Sequence, residues 1–293
     1  ITSDTLLSIG QYAFAGCKDL ADVTITAPKV KYGPYAFTGC EALTEFYVNA
    51  AVLPEGMFYE AENMQKVTVG PDVNDIGEFA FRDTKVDTFV VEKGNKAYKA
   101  QSADHILSAD GNTLVAVAAT LTGEFSAKNL GGAAVTTIGK GAFSHNTELT
   151  SVNLPSVTAI GNYGLGSSEN IETVTFGALT EIGEYAFYYC HNARTPLALP
   201  DSVVKVESNA FAWCYDIPSV TLGANLQTIG DSAFYYCYNL ENDLVLPNTL
   251  RSIGSNAFAW CKKLSSLRTG ESLTNIGAKA FENCHELTSA EFG

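Results

Sequence analysis

One template runs through almost the whole chain, written in its clearest copies as Ile-Gly-x-x-Ala-Phe-x-x-Cys-x-x-Leu-x-x-Val-x-Leu. Its Phe position falls at Phe14, Phe37, Phe58, Phe81, Phe143, Leu165, Phe187, Phe211, Phe234, Phe258 and Phe281. The steps between them are 21 to 24 residues, with a single step of 62. A unit this short cannot bury its apolar side alone, so each copy must stack on its neighbours. A length of 293 residues would otherwise suggest two domains. Repetition replaces that expectation with a solenoid of about eleven coils.

Each slot has a physical role. Leu-x-x-Val-x-Leu, as in Leu149, Val152 and Leu154, ends in a period of two suited to a short strand, and such strands predict one parallel sheet. Ile-Gly, as at Ile182-Gly183 and Ile229-Gly230, reads as an apolar anchor before a tight turn at a corner of the coil. Ala followed by Phe places a small residue where coils approach and a large one in the middle. Pro155, Pro200 and Pro247 end strands.

The Ile-Gly, Ala-Phe and Cys arrangement resembles the BspA-like, or Treponema pallidum-type, leucine-rich repeats of bacterial surface proteins. The resemblance covers residues 6–292. It implies an α/β-type repeat solenoid: a right-handed leucine-rich-repeat coil with one parallel sheet and few or no long helices. It also implies a secreted or cell-surface protein of host-associated bacteria that adheres to host matrix proteins or other cells, with no ligand motif to carry over. Departures from the pattern include Thr84 and Asn146 in Cys slots, and Leu165 and Ser168 in place of Phe and Cys. Such coils are expected to stack less regularly.

The step of 62 holds an Asp110-Gly111 pair between the apolar runs His105–Ser108 and Thr113–Val117, a hairpin signal. The reading divides the chain into N-terminal coils 1–93, a hairpin insertion 94–123 and C-terminal coils 124–293, all in one continuous solenoid. Residues from Ile182 through the Ala-Trp-Cys of the next coil recur 47 residues later, from Ile229, so the larger unit there is a pair of coils.

Composition narrows the function. Acidic residues number 32 against 18 basic, a net charge of −14, which argues against nucleic acid as a partner. No apolar run approaches the roughly 20 residues of a membrane helix. The opening Ile1-Thr2-Ser3-Asp4 carries no basic or apolar leader, so the chain is either cytosolic or written without its export signal. The resemblance favours the extracellular or cell-surface reading.

No site of reaction chemistry stands out. His105, His145, His191 and His285 have no metal-binding spacing, so neither metal nor cofactor is expected. Gly161, Gly164 and Gly166 lack the Lys-Ser/Thr of a phosphate loop. A hydrolase is the remote alternative, and only the hairpin insertion has enough irregular sequence to hold one. Cys17, Cys40, Cys190, Cys214, Cys237, Cys261 and Cys284 share one slot, and parallel side chains on a ladder do not meet disulfide geometry. They read as small buried hydrophobes.

Two surface rows are candidate binding faces. The outward strand positions run Thr24, Tyr47, Thr68, Val90, Asn153, Thr175, Ala198, Thr221, Val245, Arg268 and Glu291. The second row lies two residues after the Phe slot: Tyr189, Trp213, Tyr236 and Trp260, with Tyr188 and Tyr235 beside it. Packing between turns would produce such a row, and so would a recognition surface of rigid amphipathic rings. The functional reading is a non-enzymatic adhesion module for a protein partner, with a glycan-binding module as the alternative.

Overall fold

A computed structural model describes residues 5–25, 27, 29–128, 130, 134–143 and 145–293. No α-helix occurs among the described residues, so the coils are built of short strands and turns, and the α/β label gives way to a parallel β-solenoid. The template explains the lack of helix. Its apolar slots are punctuated by Gly and by paired left-handed residues within every coil, leaving no run for a 3.6-residue period.

The chain forms two compact units, one of residues 1–121, 130–133 and 140–146, the other of 122–129, 134–139 and 147–293. In the second unit the Ile-Gly step is itself a strand. Thr137–Ile138, Ala159–Ile160, Glu181–Ile182, Lys205–Val206, Thr228–Ile229, Ser252–Ile253 and Asn275–Ile276 pair in parallel, and the aliphatic residue of each lies opposite that of the next. Its glycines serve close approach rather than the expected tight turn. A Cβ on Gly254 would lie 2.5 Å from the Asp231 nitrogen and the Gly230 carbonyl carbon of the preceding coil.

The Leu-x-x-Val-x-Leu strands form a second parallel set, which is not one sheet but three: Gly123–Ser126 with Leu149–Leu154 and Thr173–Phe176, Leu197–Ala198 with Val220–Thr221, and Leu244–Val245 with Ser266–Arg268 and Ser289–Glu291. New segments begin at Leu197 and Leu244. Both lie in the coils with a 24-residue step, where the added residue displaces the strand from its predecessor.

The first unit has matching parallel strands Glu45–Val48, Lys66–Val69 and Thr88–Val91 in register. It also contains the hairpin, in which His105–Ser108 pairs antiparallel with Thr113–Val117 across Gly111 at φ 82°. Asp110 holds the turn by accepting from the Asn112 amide at 3.0 Å and the Ser108 hydroxyl at 2.5 Å.

The Phe slot is the core. Phe37, Phe58, Phe143, Phe211, Phe234 and Phe258 are fully buried, and from Phe187 to Phe281 the rings stack with centroids 4.9–5.4 Å apart. Leu165 is fully buried in the same slot, so its coil keeps the spine despite the substitution.

Candidate functional site

Every coil carries two residues in the left-handed region, one on each side of the Phe slot. Two positions before it stand Tyr12, Tyr35, Gly56, Phe79, Gly141, Tyr163, Tyr185, Asn209, Ser232, Asn256 and Lys279, all at positive φ. Two positions after it stand Gly16, Gly39, Glu60, Asp83, His145, Ser167, Tyr189, Trp213, Tyr236, Trp260 and Asn283, likewise positive. Glycine fills the second slot in the first two coils, as its backbone freedom favours. In four successive coils of the second unit it is an aromatic residue, with φ of 62°, 65°, 59° and 66°. A bulky residue there costs about 1 kcal/mol or more and persists only where neighbours hold it.

The neighbours holding it are the adjacent coils. Trp213 donates its backbone N–H to the Tyr235 carbonyl at 2.7 Å, and Tyr189, Tyr236 and Trp260 make the same bond to the next coil at 2.8–3.0 Å. The rings stack along this ladder. Trp213 lies parallel to Tyr236 at 4.4 Å, and Tyr236 nearly parallel to Trp260 at 5.1 Å. Tyr189 meets Trp213 at 6.5 Å with a 46° tilt. All four are half-buried. Trp213, Tyr236 and Trp260 turn faces on one another, whereas Tyr189 at one end of the row is tilted against its neighbour and Trp260 at the other meets Lys262.

Tyr188 and Tyr235, one residue earlier, are half-buried too, and each stands edge-on to a neighbour: Tyr188 to Tyr185 at 5.5 Å, Tyr235 to Tyr236 at 4.8 Å. Ala212 and Ala259, beside the indoles, are fully buried. The structure thus brings together all six residues read from the sequence: Tyr188, Tyr189, Trp213, Tyr235, Tyr236 and Trp260.

It adds a column the sequence reading missed, four residues after the Phe slot: Glu169, His191, Tyr215, Tyr238, Lys262 and His285. Tyr215 stands edge-on to Trp213 at 5.8 Å and near Tyr189 at 6.4 Å. Burial, then the neighbouring Tyr189, Tyr236 and Tyr188, push its hydroxyl pKa up. His191 contacts Tyr189 at 5.2 Å, and its Nε2 lies 3.8 Å from Glu169. The Lys262 ammonium sits 4.4 Å from the Tyr238 ring centre and 5.2 Å from that of Trp260, and donates to the Tyr238 hydroxyl at 2.6 Å. The signal was present in the period: Tyr215 and Tyr238 follow Cys214 and Cys237 directly.

The cysteine slot lies behind the strip and is a donor ladder. Cys190, Cys214, Cys237, Cys261 and Cys284 each point Sγ at the Phe-slot carbonyl of the preceding coil, at 3.0–3.3 Å. Asn146 fills the slot with a different donor and reaches the Ala118 carbonyl at 2.9 Å. All seven thiols are free. Burial pushes Cys190 up to about 12 and Cys284 up to about 11, and holds Cys214, Cys237 and Cys261 well above the ordinary thiol value. Two departures from uniform burial occur: Cys17 is exposed and Cys284 only partly covered.

The hairpin insertion does gather Ser102, Asp104 and His105, but the arrangement differs from a nucleophile relay. Ser102 Oγ, at 3.0 Å, and Asp104 Oδ1, at 2.7 Å, both meet the same ring nitrogen, Nδ1. A relay needs the two on opposite nitrogens. His105 Nε2 is buried without a partner. No group of three or more metal-ligating side chains occurs among the described residues, and no helix there is long and apolar enough to cross a membrane.

The outward strand row is open as the alternation predicts, with Tyr47 46% and Val245 59% exposed. It is laced with local bonds: Thr175 to Asn153, Tyr47 to Glu92, Arg268 to Glu291.

The pattern of BspA type leucine rich repeat regions matches six copies, over residues 1–102, 129–241 and 180–293. The chain belongs to the BspA-type leucine-rich-repeat family. Solved structures of similar fold include a leucine-rich repeat protein from Eubacterium ventriosum, at 20% identity and a TM-score of 0.72, over 94% of this chain and 80% of that one. Another is the pneumococcal vaccine antigen PcpA, at 16% identity and a TM-score of 0.52, over 98% of this chain and 60% of that one. Comparison with curated proteins gives no match. The BspA-type fold agrees with the coil geometry above, and it assigns this chain to a class of repeat surfaces suited to protein interaction.

Proposed function

We propose that this chain is a non-enzymatic interaction module, extracellular or on the bacterial surface, that binds a protein of the host matrix or of another cell through its aromatic strip. The carrying observation is the placement of Tyr189, Trp213, Tyr236 and Trp260 in backbone positions that glycine fills in coils one and two. Elsewhere in the same row the slot holds Gly16, Gly39, Glu60, Asp83, His145, Ser167 and Asn283, with no Tyr or Trp among them. Four strained aromatics in succession, flanked by Tyr188, Tyr215, Tyr235 and Tyr238, give rigid amphipathic anchors suited to a protein-recognition surface. Likeness of fold to a pneumococcal vaccine antigen supports the surface location. A glycan would need a run of open ring faces, and the faces between Trp213, Tyr236 and Trp260 are closed by stacking.

The test is capture of purified matrix proteins on the immobilised chain, compared with Trp213→Gly and Trp260→Gly. Glycine suits both backbones, so these variants keep the fold. Saturable binding that both substitutions weaken by about tenfold, or 1.4 kcal/mol, supports the reading. Binding unchanged in both would move the interface off the strip, and a signal only on neutral oligosaccharides would replace the protein partner with a glycan.

A further inference from the structure

The two coil pairs of the duplication differ in charge. Residues 170–216 hold six acidic residues against two basic, whereas residues 217–263 hold three of each. The second pair contains its own cation on its own rings: Lys262 rests against Tyr238 and Trp260. Forty-seven residues earlier, the place of Lys262 is taken by Tyr215, against Trp213 and Tyr189. Glu169 borders this cluster through His191, and Asp216 follows Tyr215 in the chain and accepts from the Asn239 amide at 3.0 Å. Glu169 has one ionic neighbour among the described residues, the His191 imidazole at 3.8 Å, and Asp216 is paired with the exposed Arg194 at 3.3 Å.

We propose, building on the protein-interaction reading above, that the first pair of the strip docks a basic segment of its partner. A lysine or arginine side chain would settle on Tyr189, Trp213 and Tyr215, with Glu169 and Asp216 beside it. The second pair shows this chemistry within the molecule itself, where the Lys262 ammonium lies near the Tyr238 and Trp260 rings and is stabilised by their quadrupoles. The first pair has the rings and an excess of negative charge, while its own Lys205 is paired with Glu207 rather than set against those rings. A net charge of −14 would steer a cationic segment toward the surface, and the acidic pair would fix where it lands.

The probe is a synthetic octapeptide alternating Arg and Ser, titrated against tryptophan fluorescence, with a Glu-Ser octapeptide as control. Binding of the Arg peptide alone is expected, weakened by about tenfold in Tyr189→Gly and in the Glu169→Gln/Asp216→Asn double variant, and falling with added salt. The Glu241→Gln/Glu271→Gln pair, which removes as much charge elsewhere, should bind within about twofold of the parent. Absence of Arg-peptide binding, or equal binding by parent and Glu169→Gln/Asp216→Asn, overturns the proposal. If that happens while matrix-protein capture still depends on Trp213, the strip remains an interface without a cation seat. If capture is also independent of Trp213, both readings fall.

Discussion

At the residue scale the informative feature is backbone conformation. Trp213 occupies φ 65°, where glycine is unstrained and alanine is not. Truncation therefore separates strain from stacking. Trp213→Ala should lose the ring contact and keep the strain, while Trp213→Gly loses the contact and gains relief, so the glycine variant should be more stable by about 1 kcal/mol. Denaturant midpoints check this, and an alanine variant equal to glycine would show the slot to be unstrained. The thiols give a second expectation. Cys17 is exposed, Cys284 partly covered and the other five buried, so a thiol reagent should label Cys17 fast and Cys284 slowly. Unfolding without reductant should release all seven, and a smaller total would mean disulfides.

At the element scale, the Ile-Gly strand holds coil to coil at backbone contact. Gly254 is not needed for an unusual φ; a methyl group there would meet the backbone of Asp231 and Gly230 at 2.5 Å, and backbone cannot swing aside as a side chain can. Gly254→Ala should thus cost about 3 kcal/mol, at the upper end of overpacking effects. Gly10, whose added Cβ would meet nothing within 4 Å, is the matched control and should lose far less when changed to Ala. Calorimetric unfolding of the two variants is the measurement, and equal losses would mean that propensity rather than contact sets the requirement.

At the scale of the whole molecule, the donor ladder links stability to pH. A buried thiol ionises less readily in the folded chain than in the unfolded one, so it holds its proton more tightly when folded. Its contribution is whole below the unfolded value of 9.0 and is lost as pH climbs toward the folded values of about 11 for Cys40 and about 12 for Cys190. Each such thiol can lower stability by up to about 1.4 kcal/mol per pH unit in that window. Denaturant midpoints should hold steady up to about pH 8 and fall steeply beyond about pH 9. A flat profile to about pH 11 would contradict the burial of the ladder.

The period determined most of the fold. Phe211, Cys214 and Ile229 each occupy the buried slot that their place in the template implies, because every coil faces the same neighbours and one solution repeats. The hairpin at Asp110-Gly111 was legible for the same local reason. Contacts between coils decided the rest. The sequence placed glycine after isoleucine but did not show that the preceding coil's backbone occupies the space of its side chain. It placed Tyr189, Trp213, Tyr236 and Trp260 in a row, yet their left-handed backbone and the turning of ring on ring arise only when coils stack at about 5 Å. The column of His191, Tyr215, Tyr238 and Lys262 joined the strip for that reason too. Period fixes which residues share a slot, whereas only stacked coils fix which surfaces of those residues remain open.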